Sequence, residues 1–370
     1  MSSPSDKDLV KQELKRIFKN YNKLFPTSDF KRDRDGKLRQ KEKRRVSLKG
    51  NKSPNSSVIH TIGYYGTKKS WVEEYEIIFK YLTDTYNLNT IIDVFGGSGI
   101  ISLLSSKLGY FDKIVYNDIF YLLINYHSVL KDDALFNEFI YYVDSYSRGE
   151  WEEASKELKL LQKEIRAYDG KVVLRSINAK KAASYYVLKH HEFNKQGGLM
   201  KNRKLVSDYI PTLTKTHQLY KNITISNLHY QKVIKEHMYD ENTLIFLDPP
   251  YVESTRVQGK SYSSELSYEK HRLLLKTLLN TDIKAKIILC GYDNLQYKHK
   301  LNASTGWQCI EFNISGGLDI HGEERPKECI WVNFDFSDLL QEKKRPTKTE
   351  IKTKMIKDEN DREYLFNFKY

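Results

Sequence analysis

The sequence has 370 residues, 39% hydrophobic and 29% charged, with eight prolines and eighteen glycines. That is too apolar for a disordered chain and too poor in Pro and Gly for a collagen-like or repeat one. No apolar run approaches the roughly 18 residues of a membrane span, and Met1–Lys7 does not read as a signal peptide, so a soluble cytoplasmic protein is expected.

The net charge of +13 is carried by the flanks: residues 1–57 hold 17 Lys+Arg against 7 Asp+Glu, residues 341–370 hold 9 against 6, and the rest balances. Such an arm reads either as a polyanion-binding segment or as a solvated tail. Cys290, Cys309 and Cys329 are widely spaced in apolar runs with no CxxC pair, which argues against both a disulfide framework and a zinc site.

In chain order, Leu9, Val10, Leu14, Ile17, Phe18, Tyr21 and Leu24 predict a short amphipathic helix, followed by a basic stretch and a Ser/Asn/Lys-rich linker over 46–57. Trp71, Tyr75, Ile78, Phe79, Leu82 and Tyr86 mark a helix stopping near Asn87. Thr90–Phe95 reads as a strand, Ile100–Leu108 as a helix and Ile114–Tyr116 as the next strand. Residues 120–222 lose this alternation and are polar, with a helix over 151–167, so they read as an insertion. The rhythm resumes with strands at Leu244–Leu247 and Ala285–Leu289 around a helix at Tyr268–Leu279. Two strand-like runs, Trp307–Ile314 and Cys329–Phe334, close the domain. The fold class expected is α/β: a doubly wound, mostly parallel sheet over 58–119 and 223–340, with a largely helical insertion. A basic extension (1–57) and a charged tail (341–370) flank it.

Two turns carry the chemistry. Phe95-Gly96-Gly97-Ser98-Gly99 lies between a strand and a helix, where glycines permit a tight turn and close approach of a ligand to the helix N-terminus. Asp118, at the end of the next strand, is placed to accept hydrogen bonds from ribose hydroxyls, which implies a nucleoside-containing cofactor. Position 102 is Ser rather than the third glycine of a dinucleotide fingerprint, which argues against NAD or FAD. Asp248-Pro249-Pro250-Tyr251 follows an apolar strand. Its prolines remove two N–H donors, so the turn presents carbonyls and a carboxylate that can hold the hydrogens of an adenine amine, with Tyr251 available to stack on the base.

Through these motifs the sequence resembles the S-adenosylmethionine-dependent DNA N6-adenine methyltransferases of the GATC-type adenine methylase group. Residues Phe95–Gly99 match that family's F-x-G-x-G cofactor motif, and Asp248–Tyr251 match its D-P-P-Y catalytic motif. Tyr65-Gly66-Thr67-Lys68 is similar to its N-terminal motif over the methionine end of the cofactor, and Ser184–Asn194 with Gly197-Gly198 to its F-N-G insertion. Over about residues 58–336 the order of motifs is the group's. Two positions depart from it: His229, before Tyr230, stands where the family usually has Asp, and Asn194 is followed by Lys195 rather than glycine.

The resemblance implies a class I, Rossmann-like methyltransferase in which Asp248, Pro249, Pro250 and Tyr251 are catalytic. It implies that Tyr65, Gly66, Lys68, Asp93, Phe95, Gly97, Ser98, Gly99, Asp118 and Tyr230 bind S-adenosylmethionine, and that residues 120–222 are a target-recognition domain. It further implies double-stranded DNA as substrate, base flipping, no metal, and the cytoplasm of a bacterial or phage-infected cell, and leaves open whether a cognate restriction endonuclease is a partner. An RNA adenine or guanine-amine methyltransferase and a non-catalytic nucleic-acid binder are the competing readings. The intact Asp248 and Tyr251 argue against the binder.

Overall fold

The computed structural model describes residues 59, 62–64, 66–148, 151–168, 174, 176–193, 198–199, 206–251, 266–292, 294–312 and 328–335, with two short upstream segments. Those segments, Phe30–Arg32 and Leu38–Gln40, pair antiparallel within the basic stretch, a pairing with no alternating signal in the sequence. The helix expected over residues 6–25, the linker and the C-terminal tail lie outside the described residues.

The centre is a seven-stranded sheet. Its strands are β1 (Thr90–Asp93), β2 (Lys113–Asn117), β3 (Ile223–Ser226), β4 (Thr243–Leu247), β5 (Lys286–Tyr292), β6 (Gln308–Phe312) and β7 (Glu328–Val332), in the spatial order β6-β7-β5-β4-β1-β2-β3. Strands β3, β2, β1, β4 and β5 run parallel, and β7 lies antiparallel between β5 and β6. Alternate strand residues enter two separate clusters. Ile91, Leu244, Phe246, Ile288 and Cys290 face one core, and Ile92, Ile245, Leu247, Ile287 and Leu289 face the other. A strand buried on both faces must be apolar throughout, which is why these strands read as continuous hydrophobic runs.

Helices α1 (Val72–Tyr86), α2 (Ile100–Leu108) and α3 (Tyr121–Lys131) cover the first face; α8 (Tyr230–His237), α9 (Tyr268–Leu278) and α10 (Leu295–Lys300) cover the second. Helix α1 ends as its sequence requires, with Asn87 left-handed at φ 57° and its N–H bonded to the Thr83 carbonyl. Between β2 and β3 the chain is mostly helical, with α4 (Asp133–Arg148), α5 (Trp151–Arg166), α6 (Ala179–His191) and α7 (Ile210–His217) following α3. Helix α3 is buried on nearly every side and packs on both β3 and α6, so the added helices share one core with the sheet. No helix among the described residues is long and apolar enough to cross a membrane.

Candidate active site

The crossovers diverge between β1 and β4, which makes their carboxyl ends the switch point where open α/β sheets bind ligands. Asp93 ends β1 opposite Phe246 of β4, and Asp248 lies just beyond β4. A cleft opens there, lined by Tyr64, Gly66, Thr67, Lys68, Asp93, Phe95, Gly96, Gly97, Ser98, Ile100, Ile101, Phe246 and Asp248. The glycine turn and the Asp-Pro-Pro-Tyr turn therefore meet at one mouth.

The glycine turn is held from several directions. Gly96 N–H donates to the Asn117 carbonyl (2.8 Å), and a Cβ on Gly96 would lie 2.2 Å from the Tyr116 ring. Gly97 donates its N–H to Asp118 Oδ2 (2.9 Å), while its carbonyl accepts from the Tyr116 hydroxyl (2.9 Å) and from His127 Nε2 (3.0 Å). A carbonyl can only accept, so Nε2 carries the imidazole proton and Nδ1 accepts from the Tyr220 hydroxyl at 2.7 Å. Burial pushes the His127 pKa down to about 4, against the opposing pull of the Gly97 carbonyl, which keeps this ring neutral. Gly99 is left-handed (φ +76°) at the start of α2, where a Cβ would meet His127 at 2.6 Å. Thr67 and Ser98 share a hydroxyl–hydroxyl hydrogen bond of 2.9 Å, tying the upstream motif to this turn.

Asp93 is buried and accepts from Ser102 Oγ (2.8 Å). Burial raises its pKa to about 7, with the Ser102 bond opposing and Asp248 and Asp118 adding to the rise. Asp118 is raised to about 6, again by burial, although backbone N–H groups of Phe120, Gly97 and Ile119 favour its charge. Its two oxygens each already accept one backbone N–H, and it stands behind the glycine turn rather than among the cleft's lining residues. Phe95 lines the cleft, and Tyr230 packs beside it with centroids 5.4 Å apart. The side chain of Asn117 bridges the loops after β1 and β3, donating to the Val94 and Leu228 carbonyls and accepting from Leu228 N–H.

At the other turn, Lys68 rises from a single 3₁₀ turn (Lys68–Trp71) into a buried ionic cluster. Its ammonium, 3% exposed, donates to both oxygens of Asp248 (2.7 Å each) and to the Tyr251 hydroxyl (2.9 Å), and lies 3.1 Å from Glu328 Oε1. Tyr251 donates in turn to Glu328 Oε1 (2.7 Å), and the Trp71 indole donates to Glu328 Oε2 (3.1 Å). Burial works against the Lys68 charge, but Asp248, Glu328 and Cys290 outweigh it and hold its pKa well above the ordinary range. Burial raises the Asp248 carboxyl above the usual carboxylate range, partly offset by Lys68. The Tyr251 ring is 6% exposed and sits edge-on to Tyr292 at 4.6 Å, so its hydroxyl is as much a part of the cluster as its face.

Of the residues singled out in the sequence, Gly66, Lys68, Asp93, Phe95, Gly97, Ser98 and Asp248 line the cleft, and Tyr251 joins it through Lys68. Pro249 is buried and Pro250 partly so. Gly99 and Asp118 support the glycine turn from behind, and Tyr65 lies outside the described residues. Sequence reasoning missed Glu328, His127 and Asn117. A carboxylate opening an apolar strand and a histidine inside an apolar helix are the signals that were there to find. Among the described residues no cluster of His, Cys, Asp and Glu could hold a metal ion.

This combination of strand order and switch-point cleft is that of a class I methyltransferase. The sequence model of the D12 class N6 adenine-specific DNA methyltransferases matches residues 64–307, and the chain belongs to that family. No curated protein matches the chain.

Proposed function

We propose that the protein transfers a methyl group from S-adenosylmethionine to N6 of an adenine flipped out of double-stranded DNA. The observation that carries this reading is the cleft shared by the glycine turn and Asp248. The lining fits the cofactor's chemistry: small residues for close approach, a carboxylate at Asp93 for an ammonium, and an aromatic face at Phe95. Asp93, Gly66, Lys68, Gly97, Ser98 and Gly99 would hold the methionine portion, together with Tyr65. Asp118, behind the glycine turn and already bonded to the Gly97 and Phe120 N–H groups, would meet the ribose only through its remaining lone pairs, and Phe95 and Tyr230 would hold the purine.

When bound, the cofactor supplies a sulfonium methyl: the N6–carbon bond forms as the carbon–sulfur bond breaks, sulfur keeps the electron pair, and N6 is left with one proton too many. Asp248 and the Pro249 carbonyl hold the amine hydrogens and stabilise the positive charge arriving on nitrogen, and the surplus proton leaves through the Asp248 carboxylate to water. The Asp248-Pro249-Pro250 turn presents acceptors only, which aims the nitrogen lone pair out of the ring plane. Tyr251 bounds the base pocket. The helices between β2 and β3 would read the target sequence, and the basic N-terminal arm would add phosphate contacts.

Incubation with labelled cofactor and duplex DNA, followed by hydrolysis to nucleosides, tests this. Label recovered as N6-methyldeoxyadenosine, with structured RNA a poor competitor, is the result expected. Label on cytosine, a preference for RNA, or binding without transfer to any DNA would overturn it.

A further inference from the structure

The ionic cluster contains more negative charge than an amine-holding aspartate requires. Among the described residues, Asp248 and Glu328 face one ammonium, that of Lys68, and the other described groups hydrogen-bonded within the cluster (Tyr251, Tyr75, Cys290 and Trp71) are neutral donors or acceptors. Were Lys68 paired with Asp248 alone, the two would cancel, and the amine would meet a neutral pair at the moment its nitrogen becomes cationic.

We infer that Glu328 is a positioning residue that keeps this site net negative: Lys68 donates to both oxygens of Asp248, and Glu328, beside that ammonium and bonded to the Tyr251 hydroxyl, supplies the second negative charge that the pair alone would lack. The inference rests on the methyl-transfer reading above and assigns that site's charge balance. Geometry supports it at both ends. Glu328 lies 3.1 Å from the ammonium and accepts from the phenol at 2.7 Å, and its second oxygen is fixed by the Trp71 indole. It opens β7 opposite Tyr292, the ring that packs edge-on against Tyr251, so one cross-strand pair holds that tyrosine at its hydroxyl and its ring. Desolvated charges act strongly at such range, and a fixed charge needs no reorganisation as the methyl moves.

The test uses the full chain and the variants Glu328→Gln and Glu328→Asp. Glutamine keeps an acceptor for Tyr251 but loses the charge and the acceptor for the Trp71 indole. We expect kcat on duplex DNA to fall about ten- to a hundredfold, with the acid limb of its pH profile moving to lower pH, because Glu328 raises the Asp248 pKa. Merely structural damage would lower kcat without that shift. A binding readout stands apart from turnover: the wild type should favour sinefungin, which carries an ammonium where the methyl resides, over S-adenosylhomocysteine, whose sulfur is uncharged. That preference should shrink about tenfold in Glu328→Gln and return in Glu328→Asp. Equal behaviour of the two variants, or a wild type without the preference, overturns the inference while leaving methyl transfer standing. Should the wild type transfer no methyl to DNA, the functional reading itself falls.

Discussion

Asp248 carries opposing demands: burial favours its neutral form, yet the amine requires a carboxylate. Lys68 resolves the conflict by lowering a pKa that burial has raised. Activity therefore declines as pH falls through a value above the usual carboxylate range, and Lys68→Met should move that acid limb to still higher pH in a kcat–pH profile. Asp248→Ala should lower turnover at least about a thousandfold while leaving cofactor affinity, by calorimetry, nearly unchanged, since the glycine turn is untouched. Asp93 offers a second pH signature. Its carboxyl titrates at about 7 when the cleft is empty, and only the ionised form attracts a cofactor ammonium. Cofactor affinity should then tighten from pH 6 to pH 8 and level off, whereas Asp93→Asn should bind more weakly with a flat profile. A flat wild-type profile would remove Asp93 from that role.

Among the elements, the turn joining β1 to α2 is the one most constrained by its surroundings. Its glycines answer to particular neighbours, Tyr116 against Gly96 and His127 against Gly99. Gly99→Ala adds a left-handed alanine and a contact at 2.6 Å, so it should destabilise the fold by about 1–3 kcal/mol in urea unfolding and weaken cofactor binding. These elements also show why parts of the fold were readable and others were not. Both motif turns are local, and α5 has a strong apolar stripe, so each could be read from spacing; the structure gives α5 as Trp151–Arg166 against an expected 151–167. Helix α3 is buried almost all round and has no polar face to set a period, and β3 is four residues long, so neither announced itself. Glu328 carries a local signal, a carboxylate at the start of an apolar strand, but its role does not follow from that signal, because only the folded sheet brings Lys68 and Tyr251 to it.

At the scale of the whole molecule, the charge is divided from the chemistry. Residues 58–340 are balanced while the N-terminal 57 residues carry a net +10. Removing residues 1–57 should weaken duplex binding and flatten the slope of log affinity against log salt, with single-turnover methyl transfer at saturating DNA retained. An unchanged slope would mark the arm as a solvated tail.

In a sheet whose strands all point the same way, a ligand mouth is furnished only by the places where strands finish. Because β7 is reversed, it delivers its opening residue to that same mouth. Side chains alternate across a strand, so a one-residue slip in how β7 aligns with β5 would exchange Glu328 for Cys329 at this position and swap an anion for a thiol. The alignment of a peripheral hairpin thus governs reactivity at the centre, and substitutions along β6, remote from the cofactor, become a route to tuning the enzyme's rate.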